Sequence, residues 1–130
     1  MIVVDASAAI EVLLGEQETA GVQGRVFLSE DNLHAPHLID VELAHALRRH
    51  AALGWLTPNR ARQALEDWAL LNISRHSHEA HLPRIWELRH NLTAYDAVYV
   101  ALAEFLGAPL ITRDSKLARA NGHKAQIEVI

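Results

Sequence analysis

The chain has 130 residues, half of them hydrophobic, a formal net charge of −4 and no cysteine. That length reads as one domain, residues 1–130, with enough chain to bury a core. The missing thiols exclude a disulfide framework, a Cys-ligated zinc site and a thiol nucleophile, and the longest stretch free of Asp, Glu, Lys and Arg, residues 50–59, is too short to span a membrane.

In chain order, Ile2-Val3-Val4 is a β-branched run of the kind buried on both faces of a parallel sheet. Asp5 follows at its carboxyl end, where open α/β sheets place their ligands. No charged leader precedes this strand, which sets the expectation of a cytoplasmic protein without a signal peptide. Residues 7–14 read as a short helix stopped by Gly15, and Asp5 or Ser7 suits its N-cap. Residues 18–28 read as a weaker helix, 33–35 as a strand closed by Pro36, and 38–53 as a long helix ended by Gly54. The apolar stripe of that long helix is Ile39, Leu43, Ala46 and Leu47. Glu42 sits at the edge of the stripe, either as an ordinary solvated acid or pointing to the seam between helix and sheet. Residues 58–71 carry Ala61, Ala64, Leu65, Trp68 and Leu71 on one side and form an αα-hairpin with the preceding helix around Gly54-Trp55. Residues 72–75 read as a strand and 79–90 as a helix with Leu82, Ile85, Trp86 and Leu88 apolar.

The run from Thr93 to Leu106 is apolar on every side of a 3.6-residue helix, the mark of a buried helix. Asp96 interrupts it in the first turn. Thr93-Ala94-Tyr95-Asp96 fits a capping box with Asp in place of Glu or Gln; a cation ligand explains a buried acid equally well. After Gly107, residues 109–112 read as a strand, Asp114 opens a short helix at 115–120, and 126–130 read as the last strand. Helices alternating with short apolar strands give an α/β class with a mainly parallel sheet. Asp5 and Asp114 fall at strand ends, Glu42 and Asp96 on helices near buried faces. Hard oxygen donors of this kind suit Mg²⁺ or Mn²⁺. The net charge of −4 speaks against a general electrostatic nucleic-acid binder, yet four clustered acids would account for that excess in a nuclease.

Four stretches carry a resemblance: Ile2-Val3-Val4-Asp5-Ala6-Ser7-Ala8, His37-Leu38-Ile39-Asp40-Val41-Glu42, Tyr95-Asp96-Ala97-Val98-Tyr99-Val100-Ala101-Leu102-Ala103-Glu104 and Pro109-Leu110-Ile111-Thr112-Arg113-Asp114. In this order, over essentially the full length, the chain resembles a PIN domain of the VapC toxin ribonucleases. The resemblance implies a three-layer α/β/α fold around a mainly parallel sheet of four to five short strands. It implies that Asp5, Glu42, Asp96 and Asp114 hold Mg²⁺ or Mn²⁺, with Ser7 and Thr112 in support. It further implies metal-dependent hydrolysis of RNA to 5′-phosphate and 3′-hydroxyl ends, and an antitoxin that blocks the site, with DNA contacted only through that antitoxin. Arg48, Arg49, Arg113, Lys116 and Arg119 lie near the acids in sequence and are candidate RNA contacts, each also readable as a solvated charge.

Other signals carry less. His76-Ser77-His78-Glu79-Ala80-His81 falls one residue short of H-E-x-x-H, and neither a Walker A nor a G-x-G-x-x-G motif occurs. Trp55, Trp68 and Trp86 read as core or interface residues rather than base-stacking platforms. A phosphoacceptor receiver domain would need a lysine at a late strand end, which Lys116 and Lys124 do not supply. A house-keeping RNA-processing nuclease and a non-catalytic PIN-fold binding module are the other rivals. The hairpin at 38–71 is expected to leave an apolar face for a homodimer or an antitoxin helix, with Leu65 and Trp68 on it.

Overall fold

The computed structural model describes residues 1–15 and 32–130. Among these, β1 (Ile2–Val4), β2 (Leu33–Pro36), β3 (Ile73–His76), β4 (Leu110–Thr112) and β5 (Ile127–Val129) form one fully parallel sheet in the order β3-β2-β1-β4-β5. The helices are α1 (Ala6–Leu14), α2 (Leu38–Ala52), α3 (Pro58–Leu70), α4 (Leu82–Glu87), α5 (Ala94–Leu106) and α6 (Ser115–Arg119), with a 3₁₀ turn at Glu79–His81. The chain steps outward from β1 to β2 and β3, then crosses back to β4 and β5. Right-handed crossovers on these two opposite paths put α1–α3 on one face and α4–α6 on the other, and α1, α2 and α3 do pack on one another. The three-layer α/β/α expectation holds. Reversal of direction between β1 and β4 makes a topological switch point at the centre of the sheet, the crevice where such sheets bind ligands.

Both central strands are wholly buried, as β-branched runs between two helical layers should be. α5 supplies the thickest part of the core: Ala97–Ala103 are all buried. It is not apolar all round in the expected sense, because Tyr95 is 65% exposed. Gly107 ends α5 in the left-handed conformation at φ 61°, a geometry glycine adopts without steric cost.

Three expectations need correction. The helix read at 79–90 breaks into the 3₁₀ turn and the six-residue α4. Pro83 lies in its first turn, where a proline is compatible with a helix start but cannot continue one from before it. Of the apolar positions expected there only Leu88 is buried, and Trp86 is exposed beneath the Arg89 guanidinium at 4.6 Å. Second, Trp68 is no surface residue: it is 4% exposed, and its Nε1 donates to Asp40 Oδ1 at 2.7 Å. A charge placed there would disrupt the fold rather than an interface. Third, Trp55 and Trp86 are 66% and 68% exposed and are not core. The helix read at 18–28 lies outside the described residues. Elsewhere element ends differ by one or two residues, the usual uncertainty of helix and strand ends.

Asp40 ties the outer layer together. It accepts from Trp68 of α3 and from Arg75 Nε of β3 at 2.8 Å. Burial pushes its carboxyl up, but the bonds from Arg75 and Trp68 outweigh that and hold it below the ordinary 3.8. Asp40→Ala should lower stability by about 1–3 kcal/mol, because it strands the buried indole N–H. A depressed pKa means that this contribution is present above 3.8 and fades as pH falls through the folded value. Urea melts across pH should therefore show the gap between wild type and Asp40→Ala closing in acid.

Candidate active site

The site lies along the carboxyl edge of the sheet at the β1/β4 switch point. Asp5, directly after β1, is only 9% exposed. Its Oδ1 accepts the Ala8 N–H at 2.9 Å, which makes it the N-cap of α1, and accepts the Ser7 hydroxyl at 2.6 Å. Its Oδ2 accepts the hydroxyl of the fully buried Thr112, across from the end of β4. The cap reading of Asp5 is thus met, at the strand end where the sequence placed it.

Ser7 and Thr112 each have one hydroxyl proton, and each gives it to Asp5. Their own oxygens then accept backbone donors: Arg113 N–H at 2.9 Å on Ser7, and Asp114 N–H at 2.9 Å on Thr112. The 3.3 Å approach of the two hydroxyls to each other is therefore a contact without a proton to share. These bonds set the turn after β4. Asp114 caps α6 by accepting Lys116 N–H at 2.8 Å.

On α5, the Thr93 hydroxyl accepts the Asp96 N–H at 3.2 Å, the N-cap half of the capping box read from the sequence. The Asp96 carboxyl is half-buried and pushed up, first by burial and then by the charges of Asp114 and Asp5, with partial relief from Thr93. Glu42, in the first turns of α2, is likewise pushed up by burial. A bond from Tyr99 partly offsets this, and the Asp96 and Asp5 charges add to it. Tyr99 OH donates to Glu42 Oε2 at 2.7 Å. The sequence reading missed Tyr99, counting it as one more apolar position of the buried helix. The available signal was chemical: a buried tyrosine usually finds a partner for its hydroxyl.

The structure thus places Glu42 in the field of Asp96 and Asp5, and Asp96 in the field of Asp114 and Asp5. Among the described residues no three of them stand close enough to enclose a cation. Mg²⁺ does not demand that: it keeps several waters and takes one or two protein carboxylates. An all-oxygen, net-negative donor set fits Mg²⁺ or Mn²⁺ and no softer metal.

Of the basic candidates, Lys116 lines a pocket of about 170 Å³ with Asn91, Thr93, Asp96 and Asp114. Arg113 is bonded through its backbone to Ser7, while its guanidinium pairs with Glu11 of α1. Glu11 went unnoticed in the sequence, where nothing distinguishes it from a solvated helix charge. Arg48 and Arg49 lie beyond Glu42 on α2, about 9–10 Å along the helix axis. Arg119 ends α6, and all five are exposed.

The PIN domain family model matches residues 2–122. The ribonuclease VapC9 of Mycobacterium tuberculosis is 43% identical over 130 residues, covering all of this chain and 98% of its own length. Among solved structures, PAE2754 from Pyrobaculum aerophilum superposes with a TM-score of 0.71 at 28% identity, over 98% of this chain and 83% of that one. VapBC2 from Rickettsia felis, solved bound to a DNA fragment from its promoter, superposes with a TM-score of 0.71 over 99% of this chain and 98% of that one. At 14% identity the second match speaks to the fold alone.

The two carboxylates at the centre should respond differently to amidation. Asp96→Asn removes one of several like charges and leaves the Thr93 cap intact, so thermal stability should hold or rise. Asp5→Asn replaces an oxygen that accepts hydroxyl donors with an amide donor, and should cost about 1 kcal/mol. Thermal melts in chelator separate the two; equal shifts would contradict this account of Asp5.

Proposed function

This chain belongs to the PIN-domain family, within its VapC ribonucleases, and we propose on that premise that it is an endoribonuclease toxin restrained by an antitoxin protein. The observation that carries the reading is the convergence of four carboxylates on the switch-point crevice. One of them is locked by two hydroxyls, and two are held above their ordinary pKa values by burial and by neighbouring acids. Such a site is unfavourable for the protein alone and favourable for a divalent cation.

Asp5, Asp96, Asp114 and Glu42 would hold Mg²⁺ or Mn²⁺. When bound, such an ion polarises a phosphoryl oxygen and orients the water that attacks it. The chain's own residues do the placing. Ser7 and Thr112 fix both oxygens of Asp5, so its free lone pairs point in set directions. Tyr99 engages one oxygen of Glu42 and leaves the other for a proton or a ligand. Lys116, beside Asp96 and Asp114, offers a positive charge to an RNA phosphate in an otherwise acidic crevice.

Membership among the VapC ribonucleases supports RNA as substrate and an antitoxin as partner. We extend the proposal to a homodimer, and to DNA contact through the antitoxin only. A basic antitoxin side chain would compete with the cation for the four acids. Among the described residues no helix is long and apolar enough to cross a membrane.

Cleavage of RNA should require Mg²⁺ or Mn²⁺ and stop in excess EDTA. Asp96→Asn should lose at least the 10–100-fold that outer-shell partners of a metal site typically cost. Expression should arrest growth, and co-expression with the adjacent open reading frame should relieve it. Full activity in chelator would overturn the metal assignment; harmless expression of an active protein would overturn the toxin assignment.

A further inference from the structure

Residues 43–65 contain Arg48, Arg49, Arg60 and Arg62 and no Asp or Glu. That is +4 in a chain of net −4, so everything else sums to −8. The segment is the second half of α2, the hairpin turn and the start of α3. Arg62 pairs with Glu66, and Arg60 donates to the Leu13 carbonyl at the end of α1. Among the described residues Arg48 and Arg49 make no ion pair.

Trp55 stands at the tip of this basic hairpin, 66% exposed. Its backbone is firmly set. Gly54 takes the left-handed conformation at φ 75°, Gly54 N–H bonds the Ala51 carbonyl at 3.1 Å, and Trp55 N–H bonds the His50 carbonyl at 3.0 Å. This is the paired bonding of a Schellman helix end. The indole meets the His50 ring edge-on, with centroids 5.2 Å apart and planes at 61°.

His50 also lines a groove of about 570 Å³ between α1 and α2, with Ser7, Ile10, Glu11, Ala46 and Arg113. Glu42, Ala46 and His50 are spaced four residues apart, so they form one stripe along α2. The stripe runs about 12 Å from the carboxylate site to the hairpin tip. At its start Ser7 touches Asp5; at its end stands an exposed tryptophan, with Arg48 and Arg49, which make no ion pair among the described residues, in the last turns of the same helix.

We propose that the α2–α3 hairpin tip binds a single-stranded segment of RNA. A base stacks on Trp55, Arg48 and Arg49 meet the backbone phosphates, and the strand follows the groove past Arg113 to the carboxylates. Aromatic faces joined to a positive track are how proteins hold single strands without reading sequence. An acid-free basic segment favours RNA over a protein helix, which an apolar face alone would not. The inference rests on the ribonuclease reading for its substrate class, but its test does not need cleavage.

Binding of a fluorescently labelled single-stranded RNA oligonucleotide of mixed sequence, in EDTA, reads the tip directly. Trp55→Ala should weaken binding about tenfold, within the range for one stacked base, and Trp55→Phe should keep most of the affinity. Arg48→Ala with Arg49→Ala should lower the salt dependence of log K by about 1.4, two single-strand phosphates' worth. In metal, Trp55→Ala should raise KM and leave kcat at saturating RNA unchanged, since the tip touches no acid. Circular dichroism melts check that these exposed substitutions leave the fold intact. Affinity within about twofold of wild type in Trp55→Ala, less than a stacked base contributes, overturns the proposal. So does loss of association with a co-expressed partner protein while RNA binding is unchanged. A wild-type protein that binds the oligonucleotide but never cleaves it overturns the ribonuclease reading instead and leaves the tip assignment standing.

Discussion

Everything at the carboxyl edge of the sheet depends on how one buried carboxylate is satisfied. Asp5 follows the central strand, with little access to water, and an ionised acid there needs donors. Three arrive: the N–H of Ala8 in the first turn of α1, a hydroxyl from α1 and a hydroxyl from the end of β4. Because Ser7 and Thr112 spend their only protons on Asp5, their oxygens must accept, and the acceptable donors are the backbone N–H groups of Arg113 and Asp114. Satisfying one carboxylate thereby fixes the start of α1, the β1–β4 junction and the turn that presents Asp114. The fold's switch point and the site's geometry are the same set of bonds.

The remaining acids are treated in the opposite way. Asp96 and Glu42 are half-buried and sit in the field of their neighbours, and the relief each receives, from Thr93 and from Tyr99, does not offset its burial. A protein built only for stability would have neutral residues at these positions. Asp5 is anchored by three donors, whereas Glu42 and Asp96 keep raised carboxyls despite the bonds from Tyr99 and Thr93. Residues kept against their own stability are characteristic of functional sites.

Much of this was legible in the sequence because its signals were local. β1 and β4 announce themselves as β-branched runs, α5 as an all-round apolar stretch, and their flanking acids fall where parallel sheets build sites. The cap-or-ligand alternative at Asp96 is not legible in the stretch itself, since the Thr93 oxygen takes the Asp96 N–H whichever role the carboxyl plays. Tyr99 and Glu11 stayed hidden because their partners, Glu42 and Arg113, are 57 and 102 residues away in sequence. The break at Pro83 was misread because apolar periodicity at 79–90 outweighed a proline that also suits a helix start. Trp68 and Trp55 look alike in sequence, yet one is locked into Asp40 and the other stands in solvent.

α2 joins the two electrostatic halves of the molecule. Its first turns carry Glu42 into the acidic crevice, and its last turn carries Arg49 and His50 to the basic tip. That polarity is adverse for RNA at one end and favourable at the other. Four carboxylates repel a phosphodiester until a cation offsets them, so the acidic crevice alone cannot be what captures the strand. Affinity must come from elsewhere on the surface. A basic tip about 12 Å along one rigid helix from Glu42 lies beyond the screening length at physiological salt, about 8 Å, so the repulsion of the crevice is largely screened there.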